Sequence, residues 1–339
     1  MSRSVTTRQV AVIGDGGMGT LCACLLAERG AEVVLWSAFA EHAAALARDR
    51  ENRQFLPGVP LPESVRPTAD VGDVPRDADF LVSAVPTPYL RAVFRDLQGR
   101  LPEAPIVSVS KGIENDTLCR PSEVLRDVLG GPTLAVLSGP CIAFEVARRM
   151  PATVVVAAED PNLAETVQDA MGNPYFRVYY NSDVVGVELG GPLKNVIALA
   201  AGICDGLELG VNAKAALLTR GLAEITRLGV TLGARRETFA GLAGIGDLIT
   251  TCVSAHGRNR TVGERIGRGQ SLAEVLEAMN QQVAEGVPTT RSVVALADRC
   301  GVDMPITREV HEVLFAGKSP RQAMRDLMTR PWRSEEEAL

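Results

Sequence analysis

Gly14-Asp15-Gly16-Gly17-Met18-Gly19 is a G-x-G-x-x-G run that follows the β-branched stretch 9–13 and opens an apolar helical stretch. Glycines at this spacing allow a tight turn and bring backbone N–H groups up to a pyrophosphate at a helix N-terminus. The motif alone is weak, but strand, turn and helix in this order are the context that dinucleotide binding requires. Asp15 puts a carboxylate into a loop that would receive phosphates, so its side chain is expected to point outward. About 20 residues on, an acid would hold a ribose 2′-OH or an arginine a 2′-phosphate. The chain there reads Trp36-Ser37-Ala38 and has neither, while Arg48, Arg50 and Arg53 read as a solvated helix face.

Ser110-Lys111-Gly112 and Ser138-Gly139-Pro140 each follow a strand end, at the sheet edge where open α/β folds bind ligands. Lys111 there either holds an anionic or carbonyl oxygen or is a solvated loop lysine. Lys194 and Asn195 follow Gly190-Gly191-Pro192, whose proline suits the first turn of a helix. The next eight residues, 196–203, have no polar side chain, so this helix is expected to be buried all round. Burial and the positive end of the helix dipole would both lower the Lys194 pKa, fitting it for proton transfer; the alternative is a lysine that snorkels out. Asp247, in the glycine-rich stretch 241–251, could orient a catalytic cation or cap a helix. Arg258 and Asn259 could grip a small phosphate or lie on a solvated face, and His256 reads as an exposed loop residue.

The elements that must position these groups are legible from periodicity. Strands are expected at 9–13, 32–36, 79–85, 105–110, 133–138, 152–157 and 176–180, alternating with helical stretches such as 17–29, 89–97, 121–129 and 162–171. That alternation predicts a mostly parallel sheet covered on both faces, an α/β Rossmann-type domain over 1–185. Beyond Ser182 helical patterns take over, with Asn212 as a cap for a helix ending near Gly229 and further helices at 290–300 and 319–328. An all-α domain is expected over 186–339, with a frayed acidic tail at Glu335-Glu336-Glu337.

The chain has 339 residues, 35 Lys+Arg against 41 Asp+Glu, and a net charge of −6, which disfavours nucleic acid and anionic membrane surfaces as partners. No signal peptide and no run long enough to span a bilayer is read, and the seven cysteines cannot all pair, which points to a reducing cytoplasm. Three scattered histidines and no C-x-x-C pair argue against a metal site.

Taken together, the segments resemble the NAD(P)-dependent glycerol-3-phosphate dehydrogenases of the bacterial type. The resemblance rests on 14–19, Phe55-Leu-Pro-Gly58, Ser110-Lys-Gly-Ile-Glu114, Ser138-Gly-Pro140, Glu188 through Val196, Asn212 through Glu224, 241–252, Arg258-Asn-Arg260 and Glu285-Gly-Val287, and it covers nearly the whole chain. It implies reduction of dihydroxyacetone phosphate to sn-glycerol 3-phosphate with a reduced nicotinamide, NADH or NADPH, for phospholipid synthesis. It further implies that Lys194 is the general acid for the C2 alkoxide, that Asp247 is its partner and that Lys111 completes the catalytic group. Gly14, Gly16, Gly17, Met18, Gly19, Lys111, Ala143, Arg258, Val283 and Glu285 would bind cofactor. Lys111, Gly139, Cys141, Lys194, Asn195, Asp247, Thr251, Arg258 and Asn259 would bind substrate, in a cleft between sheet edge and helical domain. Asp15, Ala38, Cys141, Ile142 and Phe144 depart from the residues usual in the family. A reductase of 3-hydroxy or 2-keto acids and a non-catalytic dinucleotide-binding regulator are the competing readings. The apolar helical stretches 196–203 and 215–225 raise a possible homodimer.

Overall fold

A computed structural model describes residues 8–255, 257–279, 284–331, 334 and 335. The chain forms two compact units, one of residues 1–110 and 121–184, the other of 111–120 and 185–339. The segment 111–120, including Lys111, groups with the helices and not with the sheet, and Val185 falls in the second unit.

The first unit is built on one eight-stranded sheet. Its strands are β1 (Gln9–Ile13), β2 (Glu32–Trp36), β3 (Val65–Thr68), β4 (Phe80–Ser83), β5 (Ile106–Ser108), β6 (Leu134–Ser138), β7 (Ala152–Ala158) and β8 (Phe176–Asn181), in the order β3-β2-β1-β4-β5-β6-β7-β8. Every neighbouring pair is parallel except β6 and β7. Helices α1 (Gly17–Glu28), α2 (Ala40–Asp49), α3 (Thr87–Leu97), α4 (Pro121–Leu129), α5 (Ala143–Ala147) and α6 (Pro161–Met171) complete the unit. Strands of a sheet covered on both faces read as continuous apolar runs, and β1 and β4 accordingly bury Val10 to Ile13 and Phe80 to Val82 almost completely. Strand β3, absent from the sequence reading, is a four-residue edge strand, where Pro67 is tolerated because an edge leaves its missing N–H without consequence.

The second unit is helical: α7 (Val184–Gly206), α8 (Gly210–Thr231), α9 (Arg236–Phe239), α10 (Asp247–Val253), α11 (Arg258–Gly267), α12 (Leu272–Glu277), α13 (Gly286–Cys300), α14 (Pro305–Phe315) and α15 (Pro320–Met328). Helix α7 starts well before Pro192, which lies inside it. Asn212 likewise falls within α8 and does not cap it. By length and hydropathy α7 suffices to cross a bilayer, contrary to the sequence reading, but 94% of its apolar window is buried inside the fold. It is the axis of the helical core, with Val196, Ile197, Ala198, Leu199 and Ala201 all inaccessible.

Candidate active site

The glycine-rich turn behaves sterically as its sequence predicts. Gly14 has φ +109°, and a Cβ there would lie 2.9 Å from the Ala84 carbonyl; one on Gly19 would lie 1.9 Å from the Gly14 oxygen. A side chain at either position would open the turn or part α1 from the sheet. Gly16 is different: a Cβ there would meet nothing within 4 Å, and as the N-cap of α1 it leaves the helix without a side-chain cap. Uncapped amides beside open space fit the pyrophosphate of a dinucleotide.

Asp15 overturns the expectation of an outward carboxylate. It is 8% exposed, and its side chain is hydrogen-bonded to Nδ1 of His42 in the first turn of α2. Asn52, fully buried, donates to the Asp15 carbonyl at 2.7 Å and to Thr20 Oγ1 at 2.7 Å, so the loop is anchored from beneath as well. Farther along the same unit, Gly139 follows β6 with φ +123°, Cys141 is half-buried and Ala143 begins α5.

In the second unit three of the singled-out charges converge. Lys111 Nζ donates to Asp247 Oδ2 at 2.7 Å, and Lys194 Nζ donates to Asp247 Oδ1 and to Thr251 Oγ1. Lys194 is 6% exposed and Asp247 2%. Burial lowers the Lys194 pKa to about 8, with the Asp247 carboxylate opposing the shift and the Lys111 ammonium adding to it. Burial also works against ionised Asp247, but the two ammonium groups outweigh it and hold the carboxyl below its usual range. The helix-dipole contribution expected for Lys194 does not apply, because the residue sits well inside α7 and the dipole acts only over the terminal turn.

Local backbone explains the convergence. A π-helical turn, Leu242–Gly246, runs directly into α10, whose first residue is Asp247. The turn reaches α7 because Gly190 has no side chain: a Cβ there would sit 2.0 Å from the Ala243 carbonyl oxygen. The stem of Lys111 crosses α7 at Gly191 in the same way. Glycines that read as helix breakers are thus contact points for the segments bearing Asp247 and Lys111.

Helix α11 brings Arg258 and Asn259 in its first turn, and its register on α7 is set by close backbone approach. A Cβ on Gly202 would lie 2.0 Å from the Arg260 oxygen, and one on Gly263 2.0 Å from the Leu199 oxygen. Asp205 on α7 adds an ion pair to Arg260 at 2.7 Å and another to Lys214. Asn259 accepts a hydrogen bond from the Gly286 amide at 3.0 Å, whereas Arg258 is exposed with no carboxylate at salt-bridge distance among the described residues. Asn195, next to Lys194 on α7, is 5% exposed. Glu285, half-buried before α13, has its carboxyl raised by burial against the opposing charge of Arg258. Val283 and His256 lie outside the described residues.

The sequence reading missed the Asp15–His42 pair and assigned no role to Glu188, which accepts a 2.6 Å ion pair from Arg120 with its own side chain fully buried. A carboxylate in a phosphate-receiving loop is itself a signal to look for a nearby hydrogen-bond partner. Nothing in the spacing identifies His42 as that group.

The family model described as "NAD-dependent glycerol-3-phosphate dehydrogenase N-terminus" matches residues 9–164, and its C-terminal counterpart matches 183–325. A glycerol-3-phosphate dehydrogenase [NAD(P)+] of Citrifermentans bemidjiense is 50% identical over 331 residues, covering 96% of this chain and 98% of its own. Its counterpart in Streptomyces coelicolor is 50% identical, with the same shares covered. The crystal structure of glycerol-3-phosphate dehydrogenase from Coxiella burnetii superposes with a TM-score of 0.92 at 36% identity, over 96% of this chain and 99% of that one. A ketopantoate reductase from Ralstonia eutropha, at 18% identity and a TM-score of 0.59 over 93% of this chain and 99% of its own, shares the fold alone. With both halves matched and half of all residues shared with such relatives, the chain belongs to the NAD(P)-dependent glycerol-3-phosphate dehydrogenase family.

Proposed function

We propose that the chain interconverts dihydroxyacetone phosphate and sn-glycerol 3-phosphate, using NADH or NADPH. The observation that carries the reading is the buried Lys111–Asp247–Lys194 cluster in a chain of this family. Two ammonium groups on one carboxylate leave an excess of positive charge in a site sheltered from water, suited to an oxyanion that forms as a carbonyl is reduced. The nicotinamide, when bound, supplies the hydride. Lys194 gives its proton to the C2 oxygen, and a pKa near 8 leaves it protonated at neutrality yet able to release the proton. Asp247 and Thr251 hold the ammonium in position, and Lys111 contacts both ligands while keeping Asp247 ionised. Arg258 and Asn259 bind the substrate phosphate by charge-assisted hydrogen bonds, with Asn195 offering its amide to the same ligand. Gly139 and Cys141 line the substrate site. The turn 14–19 and Ala143 bind the cofactor in the first unit.

One assay tests this: oxidation of NADH and NADPH with dihydroxyacetone phosphate, ketopantoate and 3-oxo acids in parallel. Turnover confined to dihydroxyacetone phosphate is expected. Turnover of ketopantoate without it would replace this reading by the keto-acid reductase one, and equal use of unphosphorylated dihydroxyacetone would remove the phosphate clamp. Homodimer formation belongs to the same proposal, now resting on α8. The stretch 196–203 is consumed in the core, while Val211 is 84% exposed and Ala215 and Ala216 are open beside it. Sedimentation that stays monomeric at all concentrations would reject it.

A further inference from the structure

The Asp15–His42 pair bears on which dinucleotide the first unit accepts. Strands β1 and β2 are parallel neighbours with Ile13 opposite Trp36, so the loops that follow them emerge side by side at the carboxyl edge of the sheet. In a Rossmann-type unit the first loop receives the pyrophosphate, and the second meets the adenosine ribose, whose 2′ position distinguishes the two dinucleotides. Asp15 lies in the first loop and His42 in the first turn of the helix after the second, so their hydrogen bond spans the two.

We infer that the Asp15–His42 pair, together with the lack of a cation after β2, makes this chain selective for the dinucleotide without a 2′-phosphate. The inference rests on the dinucleotide-binding reading above. With His42 neutral the pair carries one negative charge, and with His42 protonated it carries none. In neither state does it offer net positive charge to a phosphate. Its geometry is not free to adjust: Asn52 and Thr20 hold the Asp15 carbonyl, and the His42 ring packs edge-on against Phe55 with centroids 5.5 Å apart. The residues after β2 add no cation. Ser37 is buried with its hydroxyl on the Phe39 amide at 3.1 Å, Ala38 ends in a methyl group, and Phe39 exposes 71% of its surface as an uncharged ring.

The nearest arginines in sequence serve elsewhere. Arg48 lies six residues beyond His42 along α2, about 9 Å of helical rise. It donates to Asp49 at 2.7 Å, and Arg53 pairs with Asp49 and Glu51. Arg50 is turned onto the Val65 and Pro62 carbonyls under β3. A 2′-phosphate, with its charge of nearly two, finds no net positive charge at this pair or in the residues after β2 to offset it.

Fluorescence or calorimetric titration of the full chain with NADH and with NADPH, without substrate, tests the inference. NADH is expected to bind at least tenfold more tightly. Asp15→Asn, which keeps a hydrogen-bonding side chain but removes the charge, should shrink that ratio severalfold, and Ala38→Arg in the otherwise unchanged chain should shrink it further. Equal affinities in the unaltered chain, or a ratio indifferent to both substitutions, would overturn this proposal and leave the dinucleotide reading standing. Failure to bind either dinucleotide would overturn both.

Discussion

Asp247 and Glu224 are two buried carboxylates of the same helical unit whose acidities are shifted in opposite directions. Glu224, on α8, is 1% exposed and accepts the Ile306 amide at 2.6 Å and the Thr307 amide and hydroxyl at 3.1 Å each. Burial pushes its carboxyl up to about 7, despite those hydrogen bonds and the charge of Arg227. Asp247 is equally buried, yet two ammonium groups in direct contact hold it below the usual range. Loss of hydration is common to both sites, so the charge of the partners decides. Neutral donors make Glu224 an anchor for the first turn of α14, where helix amides otherwise lack acceptors. Cationic donors make Asp247 the counter-charge of a proton-transferring site.

Substitutions can break this comparison on either side. Lys194→Ala should have the largest effect, lowering kcat by about 10²–10⁴-fold with circular dichroism unchanged, since the general acid is gone while Asp247 keeps Lys111. Near-normal turnover by the folded variant would take Lys194 out of catalysis. Asp247→Asn leaves the buried Lys194 ammonium and the half-buried Lys111 ammonium without an anion and should cost about 3–5 kcal/mol in urea unfolding as well as activity.

Glu224→Gln should act on stability and leave kcat alone. The folded carboxyl titrates near 7 against an ordinary value of 4.5, so across that window the native state holds a proton that the unfolded state has released. The contribution is complete below pH 4.5 and is lost as pH rises through 7, in total roughly 3 kcal/mol. Unfolding at pH 4.5 and 8 should show this slope in the unaltered chain and not in the variant. Arg258→Ala, removing a charge-assisted contact worth about 1.5–3 kcal/mol, should raise KM for dihydroxyacetone phosphate about tenfold or more with a smaller effect on kcat. The mildest effect is on the pH profile. The lowered Lys194 pKa predicts that the reduction rate falls by half as pH reaches about 8, while the oxidation direction gains over the same interval.

Much of the architecture follows from patterns local in the chain. Seven of the strands and the change to helices after Ser182 follow from β-branched runs and their spacing, because a strand buried on both faces must be continuously apolar. β3 escaped because Val65-Arg66-Pro67-Thr68 has neither an apolar run nor alternation; its pairing with β2 is a tertiary fact. The start of α7 escaped for a related reason. Gly190-Gly191-Pro192 carries local breaking signals, and the close approach of the Ala243 carbonyl and the Lys111 stem that calls for glycine comes from segments distant in sequence.

The candidate site divides along the same line. Residue types and order were sufficient to single out the glycine turn, Lys111, Lys194, Asp247, Arg258 and Asn259, because dinucleotide binding, proton transfer and phosphate binding each need particular groups in a particular local setting. Only the tertiary structure decided that Asp247 is shared by two lysines, that Lys194 is tuned by burial and not by a helix end, and that Asp15 turns inward to His42. Each of these depends on distances between residues far apart in the chain, and electrostatic energies in a buried site are set by such distances and by the exclusion of water.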